Sequence, residues 1–206
     1  MKATKTLPVD YQHQKILDLS NSRVMLWLNI AALPLLIIFG WFFSEAMTLV
    51  NPVNPFPKGI WSIITAFTGL QIIALPISIL FMLIFHEMLH GIFFWIFTRE
   101  RPKFAFKGFY AYAAAPDWFL PKDQYVIVGL APFIVISLLS IFLSPFVSHT
   151  IIPYLYFIAI FNAAGALGDM IVVSWVISQT NQPLIQDHGD KFLAFSPSRK
   201  SLDDGS

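Results

Sequence analysis

The chain contains no cysteine and has few charged side chains. None of its 206 residues is Cys, and only 12% are Asp, Glu, Lys or Arg. Without cysteine, the protein has no disulfide, no thiolate metal ligand and no cysteine nucleophile, so any metal must be held by His and carboxylate groups. The formal net charge is only +1 and no basic stripe is present, which excludes nucleic acid as an expected partner.

Apolar residues dominate the composition. Hydrophobic types make up 56% of the sequence, 21 residues are Phe, and the mean hydropathy is +0.66. These values indicate a membrane protein and not a soluble domain. Helices long enough to cross about 30 Å of hydrocarbon are predicted over four stretches: 24–43, 68–97, 125–143 and 151–177. We therefore predict an all-α membrane protein, a single polytopic domain over 1–206 with about four transmembrane helices and a polar tail over 178–206.

Two segments between the predicted helices have patterns of their own. Segment 103–112 alternates with a period near two and is rich in aromatic residues, which predicts a short β-like hairpin between the second and third helices. Segment 44–67 contains three prolines and Trp61. We expect a loop there, followed by a piece at the membrane interface.

The distribution of Lys and Arg predicts the orientation. Twelve fall in the N-terminal segment, the loop after the second span and the tail: Lys2, Lys5, Lys15, Arg23, Arg99, Arg101, Lys103, Lys107, Lys122, Lys191, Arg199 and Lys200. The opposite side carries only Lys58. Because cytoplasmic loops are enriched in basic residues, both termini and the predicted hairpin should lie in the cytoplasm of a multi-pass membrane protein.

The stretch His86-Glu87-Met88-Leu89-His90 lies within an apolar run. Histidines four residues apart share one face of a helix, so both imidazoles can reach one metal ion while Glu87 lies beside them. Ionisable side chains are costly in a membrane span and are usually functional there. A metal site of the HExxH zincin type is the prediction, and a purely structural polar cluster is the alternative.

A catalytic zinc needs a third protein ligand, and Asp169 is the candidate. It lies in the fourth predicted span, about eight residues or roughly 12 Å from the cytoplasmic end, as does His90 in the second. Asn162, seven residues before Asp169, shares its helix face. The alternative is a buried acid bonded to hydroxyl groups. The remaining histidines, His13, His149 and His188, lie in polar flanks or a short loop and should be solvated.

These residues permit hydrolysis of a peptide bond. Two His and one carboxylate favour Zn²⁺, which polarises a carbonyl and activates water. Glu87 is the expected general base. Asn162 is expected either to orient the substrate and stabilise the oxyanion or to make a structural hydrogen bond between helices. Segment 104–112 either pairs with an extended substrate by strand addition or forms a lid on the membrane surface.

Three motifs resemble a known family. FHEMLHGIFF from residue 85, KFAFKGFYAYAAAPDWFLPKDQYVIVGLAPF from residue 103 and NAAGALGD from residue 162 are similar to small bacterial membrane proteins known as putative zincin peptidases, which are related in pattern to the site-2 proteases. The resemblance implies an intramembrane metalloprotease of the bacterial plasma membrane. It also implies zinc bound by His86, His90 and Asp169, with Glu87 as the catalytic acid–base residue.

The sequence is therefore compatible with three hypotheses for the function. The leading hypothesis is a zinc-dependent intramembrane peptidase that acts on a membrane-anchored protein or peptide. The alternative is a non-catalytic membrane scaffold or partner-binding protein with a structural metal site. A small-solute or metal transporter is a third hypothesis, which is disfavoured because ionisable groups occur at only one membrane level.

Overall fold

A computed structural model describes residues 1–52, 69–106 and 111–198. Five helices lie in these ranges: α1 (Ser22–Val50), α2 (Leu70–Thr98), α3 (Lys122–Leu143), α4 (Ile152–Gly165) and α5 (Leu167–Ser178). A 3-10 turn (Ser144–Phe146) follows α3. The same ranges contain six strands: β1 (Tyr11–Asp18), β2 (Lys103–Phe106), β3 (Ala111–Ala114), β4 (Phe119–Pro121), β5 (Leu184–Asp187) and β6 (Lys191–Pro197).

Three of the described helical segments are long and apolar enough to cross a membrane: Ser22–Val50, Ile72–Thr98 and Lys122–Phe146. The pair α4 and α5 meets the same test together but is bent by 43° at a short break. The prediction of about four apolar helices therefore agrees with these elements, except that the last one is broken. The break falls at Ala166, between Gly165 and Gly168, and glycine has a low helix propensity.

The loop predicted over 44–67 begins later than expected. Helix α1 continues to Val50, so Glu45 and the apolar residues around it belong to the helix. The remainder of that prediction, including Trp61, lies outside the described residues. The predicted hairpin is present as the antiparallel pair β2–β3, and residues 107–110 also lie outside the described residues.

The chain divides into two compact units that share its long helices. The first unit combines Met1–Trp27, Glu87–Ala131 and Gly168–Ser206, and the second combines Leu28–His86 and Pro132–Leu167. The core of the second unit is formed by α1 and α4 residues such as Phe43, Met47 and Ile160. There Tyr156 donates a hydrogen bond to the carbonyl of Gly40 at 3.0 Å, an approach that the absence of a Cβ at Gly40 permits.

The first unit contains an antiparallel sheet that the sequence did not predict. Its four strands lie in the order β1-β6-β5-β4. Side chains of β6 alternate between buried and half-buried, and Phe192 joins Phe94, Tyr125 and Ile185 in the core of this unit. The polar segment after Ser178 is therefore folded as far as Pro197. An all-α class describes the apolar helices correctly but omits this sheet.

A buried carboxylate links the sheet to α3. The Tyr125 hydroxyl donates to Asp187 at 2.6 Å, and the backbone N–H of Gly189 donates to the other carboxylate oxygen at 2.6 Å. Asp187 is only 4% exposed. Burial raises the pKa of this carboxyl to about 6, although both hydrogen bonds act in the opposite direction.

Asp187 should make the stability of the metal-free protein depend on pH. Because the folded state binds this proton more tightly than the unfolded chain does, the stabilising contribution is complete below about pH 4 and is lost as the pH rises through about 6. The free energy of unfolding should therefore fall by about 3 kcal/mol over that interval. Chemical unfolding in detergent micelles measures it, and Asp187→Asn should remove this part of the slope. An identical slope in the variant would contradict the prediction.

Candidate metal centre

Helix α2 carries the central residues of the site. It runs without interruption from Leu70 to Thr98 and presents His86 and His90 one turn apart, both less than a tenth exposed. Other side chains of the same helix, including Leu83, Ile84 and Trp95, are about half exposed or more. The helix thus combines an inward polar stripe with an outward apolar surface.

His90 faces Asp169 within the first unit. Its Nε2 lies 3.5 Å from Asp169 Oδ1, and the carboxylate is 28% exposed. Asp169 stands in the first turn of α5, where backbone N–H groups without helical acceptors favour a negative charge. The helix break at Ala166 creates this position, because a new helix begins at Leu167, two residues before the acid.

The second ring nitrogen of His90 fixes which tautomer is present. Its Nδ1 lies 2.9 Å from the backbone carbonyl of Val128. A carbonyl oxygen can only accept, so Nδ1 carries the hydrogen and donates it. In the neutral ring, Nε2 then holds a lone pair, which faces the Asp169 carboxylate. Two acceptors at this distance repel unless a proton or a metal ion lies between them.

His86 is oriented in the same way within the second unit. Its Nδ1 donates to Oδ1 of Asn162 at 3.0 Å, and Nδ2 of Asn162 donates to the carbonyl of Pro132 at 3.2 Å. Asn162 is 1% exposed. Because both ends of its amide bond to protein groups, this geometry supports the structural alternative for Asn162. A role in orienting substrate or stabilising an oxyanion stays a prediction.

The two histidines and the aspartate form a group that could hold a metal ion. The ligand atoms offered by His86, His90 and Asp169 all lie within 4.8 Å of one another. Tetrahedral zinc with ligands at about 2.0–2.1 Å separates them by roughly 3.3 Å, close to the distance between His90 and Asp169. The donor set also fits zinc, since each histidine uses Nδ1 as a donor elsewhere and keeps Nε2 for coordination.

Glu87 contacts the β2–β3 hairpin. Its Oε2 accepts a hydrogen bond from the backbone N–H of Ala113 at 2.9 Å. Two glycines allow the hairpin to pack closely around this contact. A Cβ on Gly91 would overlap the ring of Phe104, and one on Gly189 would overlap the ring of Tyr112. The edge of β3 is thereby held next to the carboxylate that the sequence predicts to be the general base.

The other histidines lie where the sequence placed them. His13, His149 and His188 are exposed and do not belong to the group of candidate ligands among the described residues. Two backbone groups that contact the site, the carbonyl of Val128 and the N–H of Ala113, were not predicted from the sequence. Pro132 was the available signal for the first of these, because a proline inside a helix has no N–H for the carbonyl four residues earlier.

One comparison with known proteins gave a match. A family model described as "Putative zincin peptidase" matches residues 79–184, which include every candidate ligand. No curated protein and no solved structure matches the chain significantly.

Removal of Asp169 should abolish tight zinc binding. Loss of a hydrogen-bond partner of a metal ligand typically weakens metal affinity by roughly 10- to 100-fold. We expect Asp169→Ala to weaken zinc affinity by more than this, because a ligand itself is lost. Equilibrium dialysis of detergent-solubilised protein, followed by atomic absorption, measures this. His86→Ala should behave similarly, and His13→Ala, an exposed histidine, serves as the control. Wild-type zinc occupancy in the Asp169 variant would remove this residue from the proposed ligand set.

Proposed function

Because the chain belongs to the Putative zincin peptidase family, we propose that it is a zinc-dependent intramembrane metallopeptidase that cleaves membrane-associated proteins or peptides. One observation carries the proposal. His90 Nε2 and Asp169 Oδ1 face each other at 3.5 Å, with His86 one turn away on the same helix. An arrangement of this kind suits a divalent cation, and zinc is the ion that two imidazoles and a carboxylate favour.

Each polar residue has a proposed role. His86, His90 and Asp169 would hold the zinc ion, which supplies Lewis-acid polarisation of the scissile carbonyl and activation of water. Glu87 takes the proton from the attacking water and returns it to the leaving amine. Asn162 orients His86 through the hydrogen bond to its Nδ1, as outer partners of metal-bound histidines do.

The surroundings of the site support cleavage within a membrane. Apolar side chains on the outer faces of α2, such as Leu80, Ile84 and Trp95, are half exposed or more, which suits contact with lipid. A substrate that reaches Glu87 would therefore enter from the bilayer or its surface. The predicted location is the bacterial plasma membrane, with both termini in the cytoplasm. The likeness to site-2 proteases stays a prediction.

The hairpin offers a means of presenting the substrate. The N–H of Ala113 points away from β2 and towards Glu87, so this edge of β3 adjoins the proposed general base. An extended peptide that pairs with this edge would place its backbone beside the carboxylate. This arrangement favours the strand-addition role of the hairpin over a lid that only covers the membrane surface.

Substitution of Glu87 tests the catalytic proposal. Glu87→Gln keeps the shape of the side chain but removes the base, so zinc content should stay at the wild-type level while cleavage falls by roughly 10²- to 10⁴-fold. The assay follows a pool of labelled single-span peptides in proteoliposomes by mass spectrometry. Zinc removal by a chelator should stop cleavage, and zinc addition should restore it.

Matched controls separate the alternatives. Glu45→Gln changes another acid in an apolar helix and should leave cleavage unchanged. Casein added to the outside of the vesicles tests a preference for membrane substrates. Undiminished cleavage by the Glu87 variant would refute its role. If neither wild type nor variant cuts any probe, and cells carrying Glu87→Gln behave as wild type, the scaffold function is favoured.

A further inference from the structure

Pro132 lies in the interior of α3, where proline is otherwise unfavourable. The helix continues on both sides of it, from Lys122 to Leu143, and its ring is less than 2% exposed. Proline has no backbone N–H, so it cannot donate the usual helical hydrogen bond to the carbonyl four residues earlier. That carbonyl belongs to Val128, the group that accepts Nδ1–H of His90 at 2.9 Å.

The same proline also contacts the partner of the other histidine. Its carbonyl accepts a hydrogen bond from Nδ2 of Asn162 at 3.2 Å. Oδ1 of Asn162 in turn accepts a hydrogen bond from Nδ1–H of His86 at 3.0 Å. Because Pro132 has no N–H, the Val128 carbonyl is left to accept the hydrogen bond from His90. The Pro132 carbonyl holds the Asn162 amide, whose Oδ1 accepts the hydrogen bond from His86. Both links direct a hydrogen onto Nδ1, which keeps Nε2 as the coordinating atom.

We propose that Pro132 is a positioning residue for the metal centre, which sets the tautomer and ring orientation of His90 through Val128 and supports those of His86 through Asn162. This inference rests on the proposed zinc site. The competing explanation is that Pro132 only bends α3. The two other prolines in the interior of described helices, Pro34 in α1 and Pro76 in α2, are both exposed, unlike Pro132. Pro153 is buried but lies in the first turn of α4, where a helix needs no N–H donor.

Pro132→Ala tests the inference because it restores an N–H that competes for the Val128 carbonyl. Loss of a hydrogen-bond partner of a metal ligand typically weakens metal affinity by roughly 10- to 100-fold. Because a carbonyl can accept two hydrogen bonds, the contact with His90 should be weakened and not lost, so zinc should bind roughly tenfold more weakly. The metal-free protein should be as heat-stable as the wild type or more so, because the helix gains a hydrogen bond. Pro34→Ala restores an N–H in a helix without a candidate ligand and should leave zinc affinity unchanged.

A backbone ester at position 132 distinguishes the effect of the missing N–H donor from the effect of a bend in α3. The α-hydroxy analogue of alanine, incorporated at position 132 of the full chain, has the same side chain as Pro132→Ala but no N–H. If the donor matters, the ester variant should recover wild-type zinc affinity although it lacks the proline ring. An ester variant that binds zinc as weakly as Pro132→Ala would overturn the inference, as would wild-type affinity in Pro132→Ala itself.

A spectroscopic measurement keeps the inference testable without metal. In metal-free protein with ¹⁵N-labelled histidine, the ring signals of His90, assigned by comparison with His90→Gln, should show a hydrogen on Nδ1 that is hydrogen-bonded to a carbonyl in the wild type and in the ester variant, whether or not Nε2 also carries a proton. In Pro132→Ala this hydrogen bond should be weaker, so the Nδ1–H signal should shift upfield. An unchanged Nδ1–H signal in Pro132→Ala would overturn the inference. Failure of the wild type to bind zinc, with the Nδ1–H signals as expected, would instead overturn the proposed function alone.

Discussion

The encounter of two acceptors, the imidazole Nε2 of His90 and the carboxylate of Asp169, is the constraint on which the site depends. Nδ1 of His90 donates its hydrogen to the Val128 carbonyl, so Nε2 of the neutral ring carries none. The carboxylate oxygen of Asp169 that faces it carries no hydrogen either. Such a pair is stable only with a positive species between its members. The surrounding hydrogen bonds maintain this condition, since they orient the rings by their Nδ1 side and leave the coordinating side for the ion.

Imperfections in the helices create much of this arrangement. An uninterrupted helix bonds its interior backbone groups internally and leaves none for a histidine. Pro132 lies within the continuous helix α3 but has no N–H to donate to the carbonyl of Val128, while the break at Ala166 provides a helix N-terminus for Asp169. Two of the features that weaken regular helices in this protein, Pro132 and the break at Ala166, lie next to groups that contact the candidate ligands. Local irregularity and the polar site therefore have one physical explanation.

The grouping of His86, His90 and Asp169 could be predicted from the sequence because it follows from local rules. Helical periodicity places His86 and His90 together, and the cost of an ionisable group in an apolar span selects Asp169. The four-stranded sheet could not be predicted in the same way. Strands β4 and β5 have only three and four residues, and β1 pairs with β6 across most of the chain, so no local pattern indicates the partner. The contact of Ala113 is made by a backbone N–H, which leaves no trace in residue type, whereas the contact of Val128 is indicated in the sequence only by Pro132 four residues later.

Helix α2 combines apolar faces with polar residues, and this explains the backbone contacts that Glu87 and His90 make within the first unit. Its apolar outer faces suit lipid, whereas Glu87 and His90 need polar partners. The sequence supplies few such side chains, because only 12% of residues are charged. Backbone groups from β3 and α3 supply the missing hydrogen bonds, and Gly91 lets the hairpin approach closely enough to do so. A small apolar chain can thus build a polar site without burying many additional charges, each of which would cost several kcal/mol.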